Sequence, residues 1–178
     1  MKVLAVNGSH REGNTEAILK RILDGAKEKG AVIELVNLRE KKVENCKACR
    51  GCEEKGTCTI EDDMPKIFQK IAHSDIIVFG SPNYFNNVSA LMKGFIDRMN
   101  AHWEKPELKE KKVVLVMPGG QGPESREKGM QAFEEFPKIC GMKVIEKFLP
   151  QLDLPQEAQG NKEVMEKALE IGKRIAGA

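Results

Sequence analysis

Short apolar runs and longer stretches of helical period take turns along the whole chain. Val3-Leu4-Ala5-Val6, Val32-Ile33-Glu34-Leu35-Val36, Ile76-Ile77-Val78-Phe79, Val113-Val114-Leu115-Val116 and Lys143-Val144-Ile145 are rich in β-branched residues. They hardly alternate with polar residues, a pattern that predicts five strands buried on both faces. Between them, Val88, Leu91, Met92, Phe95, Ile96 and Met99 fall on one stripe of a helix and predict a core face. Further helices are predicted over 14–29, 63–72, 124–139 and 161–176, the one at 63–72 with Asp63 as N-cap and Pro65 in its first turn. Strand and helix in strict alternation predict an α/β fold: a doubly wound five-stranded parallel sheet, order 2-1-3-4-5, in three αβα layers. Ligands of such sheets bind beyond the carboxyl ends of the strands, so the loops after strands one, three and four are where chemistry is expected. Two connections are longer than ordinary loops: about 39–62, which holds four of the five cysteines, and 149–160, which meanders to the last helix.

At 178 residues the chain fits one domain, residues 1–178, with a cysteine-rich insertion at about 39–62. A net charge of +2, with Lys and Arg interspersed among Glu and Asp, leaves no positive field of the kind that nucleic-acid binding requires. No apolar run approaches the ~18 residues of a membrane span, and the apolar stretch at the start is too short for a signal peptide. A cytoplasmic protein with no membrane partner is expected. Thiols stay reduced in that compartment, so five cysteines point to metal binding or redox chemistry before disulfides.

The first predicted strand runs into Asn7-Gly8-Ser9-His10-Arg11-Glu12-Gly13-Asn14-Thr15 and then a helix. That order places free backbone N–H groups, His10 and Gly13 included, at the positive end of a helix dipole, an anion site. Ser9 and Thr15 add hydroxyls, Asn14 an amide and Arg11 a planar cation suited to phosphate oxygens. Asn14 stands where a nucleotide P-loop needs lysine, so a phosphate monoester is expected in place of a triphosphate. The third strand ends in Gly80-Ser81-Pro82-Asn83-Tyr84-Phe85-Asn86-Asn87. There Pro82 shapes the loop, Asn83 and Asn86 suit the carbonyls and nitrogens of a flat heterocycle, and Tyr84 or Phe85 can border its face. After the fourth strand, Gly119, Gly120, Gln121 and Gly122 let backbone approach a ligand closely. Taken together, Gly8-Ser9-x-Arg11-x-x-Asn14-Thr15, Ser81-Pro82-x-Tyr84 followed by Lys93-x-x-x-Asp97-Arg98, and Gly119-Gly120 resemble the NADPH-dependent FMN reductase group of flavodoxin-like proteins. The resemblance implies that the first loop holds the phosphate of FMN and that the second and third hold its ring and ribityl chain.

Cys46-x-x-Cys49-x-x-Cys52-x-x-x-x-x-Cys58 places four thiols in one loop, where they can converge on one inorganic centre. Compact C-x2-C-x2-C runs wrap a [4Fe–4S] cluster; tetrahedral zinc also accepts four thiolates, though usually from two separated pairs, and an empty site is the third alternative. Lys47, Arg50 and Lys55 would offset thiolate charge. Cys140 reads as a small buried hydrophobe, and His10, His73 and His102 form no catalytic set. Within the FMN reductase group the cysteine loop is similar to that of the iron-sulfur flavoproteins, which implies a cluster on Cys46, Cys49, Cys52 and Cys58. It also implies a one-electron carrier such as ferredoxin as partner. The expectation is then an electron-transfer oxidoreductase in which carrier, cluster and FMN exchange electrons, assembled as a homodimer or homotetramer. The rivals are an NAD(P)H-dependent FMN or quinone reductase without a cluster, and a zinc-stabilised flavin-binding module.

Overall fold

A computed structural model describes residues 1–177. Five parallel strands, β1 (Lys2–Asn7), β2 (Val32–Asn37), β3 (Ile76–Gly80), β4 (Lys112–Val116) and β5 (Lys143–Phe148), form one sheet in the order β2-β1-β3-β4-β5. Side chains alternate across each strand, so β1 sends Val3 and Ala5 to one face and Leu4 and Val6 to the other. Each face has its own core. On one, α1 (Asn14–Glu28), α6 (Glu157–Gly160) and α7 (Lys162–Ala176) cover Val3, Ala5, Val78 and Val114. On the other, α3 (Met64–Ala72), α4 (Ala90–Arg98) and α5 (Pro123–Ile139) cover Leu4, Ile77, Phe79 and Leu115. Val88, Met92, Phe95 and Met99 of the predicted stripe are buried there, and Phe79, Phe95 and Phe136 meet at centroid distances of 5.3–6.0 Å. The short α2 (Gly51–Lys55) sits inside the cysteine loop.

Two local expectations are corrected. The outer strands are not buried on both faces: β5 alternates between exposed and half-buried positions along its length. Its pairing with β4 also slips between Val113 and Val114, leaving Ile145 43% exposed. An edge strand has a partner on one side only, which frees both its outer edge and its register. Asp63 does take the N-cap position of α3 with Pro65 in the first turn, but its carboxylate accepts from Lys42 N instead; Asp62 Oδ1 accepts from Met64 N at 2.9 Å. Among the described residues no helix is long and apolar enough to cross a membrane.

Candidate functional site

At the carboxyl edge of the sheet, Ser9, Arg11, Asn14 and Thr15, Pro82, Asn83 and Tyr84, and Gly119 and Gly120 line one groove of about 180 Å³. The groove is built on polar residues that end the strands. Asn7, fully buried, accepts from Ser9 N at 3.0 Å through Oδ1 and donates to Asn37 Oδ1 at the same distance. Below it, buried Glu16 meets Arg39 at 2.6 Å and Lys20 at 2.7 Å. Burial alone would raise the Glu16 pKa, but the hydrogen bonds and charges of Lys20 and Arg39 hold it below the ordinary value. Gly8 is pressed against α4: its N–H bonds Gly80 O at 2.8 Å, and a Cβ there would lie 2.7 Å from that of Met92. α1 begins after Gly13 with no side-chain cap, so the N–H groups of its first turn remain for a ligand.

Several predicted residues serve the frame of the groove. Asn14 donates to Leu154 O at 2.9 Å and accepts from Ala158 N at 3.0 Å, tying the loop after β5 to the phosphate loop. Asn83 joins the second loop to the third: its N–H bonds Pro118 O at 2.9 Å and its side chain bonds Ser125 Oγ at 2.9 Å. Gln121 accepts from Ser125 and from Arg126, and Gly122 caps α5. His10 is exposed and lies outside the groove's lining, as do Gly13, Phe85 and Asn86. Phe85 and Asn86 instead form the tip of a two-residue hairpin closed by paired Tyr84–Asn87 backbone bonds. Both have positive φ, 50° and 60°, and Phe85 is 97% exposed. A bulky residue held in that region costs of order 1 kcal/mol or more. Leu152, Asp153 and Leu154 also line the groove, a wall that the sequence reading missed. The signal was available, because β5 ends at the same sheet edge as the other strands.

The groove fits the tail of a flavin nucleotide. Its volume suits a phosphate and a short polyol, below the 300–1,000 Å³ of whole small-molecule sites. A flat ring would then lie at the open edge, where Tyr84 is 43% exposed. Alanine at Gly119 or Gly120 would bring a Cβ to 2.9 Å from Asn83 Cβ or Asp153 Oδ1, so these walls depend on glycine.

The second site shares no lining residue with the first. Cys46, Cys49, Cys52 and Cys58 line a cleft of about 740 Å³ with Trp103, Ile96, Met99 and, from the end of α5, Phe136, Ile139 and Cys140. The four thiols share that cleft but are not drawn together: among the described residues no three His, Cys, Asp or Glu side chains stand close enough to hold a metal ion. The chemistry of the donor set nonetheless fits a thiolate-bound centre, since Ala48 and Arg50 take left-handed backbone that turns the thiol-bearing chain tightly. The Gly51 N–H and the Thr59 hydroxyl favour the thiolate of Cys49 and lower its pKa. Cys140 is buried, and burial pushes its thiol up to about 11, consistent with an inert core residue.

The ends of this loop are zipped together. Lys42 N bonds Asp63 Oδ2, Asp63 N bonds Lys42 O and Glu44 N bonds Asp62 Oδ2, each at 2.9 Å. Asp62 is paired with Arg98, and both side chains are wholly buried. His102, at 7% exposure, stacks on Phe68 at a centroid distance of 3.8 Å, and desolvation, then Lys105 and Arg98, lower its pKa to about 4. The unfolded chain therefore binds the extra proton between pH 6.5 and about 4, and stability falls as pH falls through that window. Urea unfolding is expected to lose about 2 kcal/mol from this group between pH 7 and pH 5. His102→Gln should remove that part of the slope.

Known proteins are similar to this chain in sequence and in fold. The profile of the family described as NADPH-dependent FMN reductase matches residues 1–152. An iron-sulfur flavoprotein of Methanosarcina thermophila is 34% identical over 147 residues, 82% of this chain and 77% of that protein. An iron-sulfur flavoprotein of Archaeoglobus fulgidus is 40% identical over 98 residues; the match covers 55% of this chain and about half, 48%, of that relative. Among solved structures, a flavone reductase superposes with a TM-score of 0.79 at 22% identity, covering 100% of this chain and 62% of the other. An archaeal flavodoxin superposes at 0.66 with 16% identity over 99% of this chain and 97% of the other. Fold and profile agree: the chain belongs to the NADPH-dependent FMN reductase family of flavin oxidoreductases.

Proposed function

We propose that the chain carries FMN in the groove beyond β1, β3 and β4 and a [4Fe–4S] cluster on Cys46, Cys49, Cys52 and Cys58. In this reading it passes electrons between a one-electron carrier of the ferredoxin type and an acceptor served by the flavin. The observation that carries it is the single cleft lined by all four thiols, in a chain of an FMN reductase family. When bound, a cluster exchanges electrons singly and FMN singly or in pairs, so the two together convert one-electron supply into two-electron chemistry. Arg11 and the first turn of α1 would hold the phosphate, while Tyr84 and the strained Phe85 hairpin would border the ring. Exposed Lys47 lines the cleft and would offset part of the charge of four thiolates, whereas Arg50 is paired with Glu53 at 2.9 Å.

α5 starts at the groove and ends at the cleft, and its 17 residues span about 25 Å. That separation supports an assembly in which the cleft of one copy faces the groove of another, a homodimer or homotetramer. Trp103 at 43% and Ile139 at 61% exposure supply an apolar surface for it.

Anaerobic purification followed by iron, sulfide, zinc and FMN analysis tests the reading. Iron and inorganic sulfide in equal amounts, with FMN, are expected; stoichiometric zinc without iron would overturn the cluster. The family's description favours one rival, direct hydride transfer from NADPH, and rapid bleaching of the flavin by NADPH with no carrier present would select it.

A further inference from the structure

In the pattern Lys93-x-x-x-Asp97-Arg98, Lys93 and Asp97 pair with each other at the surface, 2.5 Å apart. Arg98 turns the other way and has no exposed side-chain surface. Its Nη1 donates to Glu44 O at 2.8 Å and to Asp62 Oδ2, and its Nη2 donates to Asp62 Oδ1 at 3.1 Å. Of the donors left over, Nε–H is buried with no hydrogen-bond partner among the described residues. A buried donor of a charged group is rarely left unpaired, so an acceptor nearby is implied. After the Asp62 carboxylate, the next group acting on the guanidinium is the sulfur of Cys58, which is half-buried on the wall of the cleft.

We propose that Arg98 is a positioning residue for Cys58, its spare Nε–H donating to that sulfur when Cys58 serves as a ligand to iron. The inference rests on the cluster reading above. Only arginine can do both jobs, because its planar fork grips the Asp62 carboxylate with two nitrogens and leaves the third aimed elsewhere. A hydrogen bond to a ligand sulfur draws charge from it and raises the reduction potential of the centre, and groups that orient ligands alter metal retention by 10–100-fold. Lys47 and Arg50 line the same cleft but are exposed, so their charges are screened. Arg98 acts from the dry side.

Arg98→Lys keeps a cation opposite Asp62 and removes the third donor direction. In the FMN- and iron-loaded variant, iron loss to a chelator is expected to be about tenfold faster than in the wild type, with a more negative midpoint potential in an EPR-monitored titration. In a Cys58→Ser background, Arg98→Lys should add little further to iron loss; full additivity would show that Arg98 acts on the fold and not through Cys58. The wild type also supplies a readout independent of the variants. With arginine labelled by ¹⁵N, one slowly exchanging Nε–H should be shifted by the paramagnetic iron and return to the ordinary range when iron is removed. An iron-free wild type would overturn the cluster reading itself. A loaded wild type with no shifted Nε–H, or a variant with unchanged iron loss and potential, would overturn the role of Arg98 alone.

Discussion

Gly172→Ala is expected to destabilise the chain by about 3 kcal/mol or more. A Cβ on Gly172 would lie 2.0 Å from Ile22 O and 2.9 Å from Ala26 N, and one on Gly25 would lie 2.1 Å from Leu169 O. These neighbours are backbone of α1 and α7, not the ends of flexible side chains, so the two helices must separate along their whole contact. Overpacking costs typically 1–3 kcal/mol where side chains can yield, and here they cannot. The same shift loosens Ile18, Ile22, Ile171 and Ile175 in the core below. Equilibrium urea unfolding reads the effect as a lower midpoint; an unchanged midpoint would mean that α7 is not seated on α1 in this way. FMN retention is a second readout, because Asn14 at the head of α1 holds the loop at Leu154 and Ala158.

Asp62→Ala is expected to cost about 3–5 kcal/mol, the usual penalty for leaving a buried charge without its partner. It strips Arg98 of its carboxylate and removes the acceptors of Met64 N and Glu44 N. Burial raises the pKa of Asp62, yet the Arg98 guanidinium and those two N–H groups outweigh it and hold the carboxylate below its usual value. Such a group contributes stability above its unfolded pKa that is lost as pH falls through the folded one, so the contribution of Asp62 is lost only below its ordinary carboxylate range. Limited proteolysis locates the damage: new cleavage should appear within about 45–61 before any in the sheet. Uniform cleavage, or none, would contradict the role of Asp62 as the latch of that loop.

The sheet order and the main helices were legible because each rests on a signal of several residues, such as the Val88–Met99 stripe that now faces Phe79. The phosphate loop was legible for the same reason, Gly8 and Gly13 lying between a clear strand and a clear helix. What could not be read were roles settled by pairs far apart in sequence. Nothing local says that Arg98 meets Asp62, 36 residues away, or that Asn14 reaches Leu154 across 140. Residue type alone suggests Asn14 and Asn83 as ligand contacts, but their side chains are engaged in holding loops together. Asn7 and Asn37 did carry a signal: each is a polar residue ending a largely apolar strand, at the sheet edge where the crevice forms.

The zipped base of the cysteine loop has a consequence for the fold's history. Because Lys42 and Glu44 bond directly to Asp63 and Asp62, the chain enters and leaves the excursion at nearly one point. What lies between can change in length with little effect on the sheet, since closure entropy grows only slowly with loop size. The segment is therefore a cassette: a flavin-binding scaffold could gain or shed it whole, and with it an inorganic centre, without redesigning the sheet.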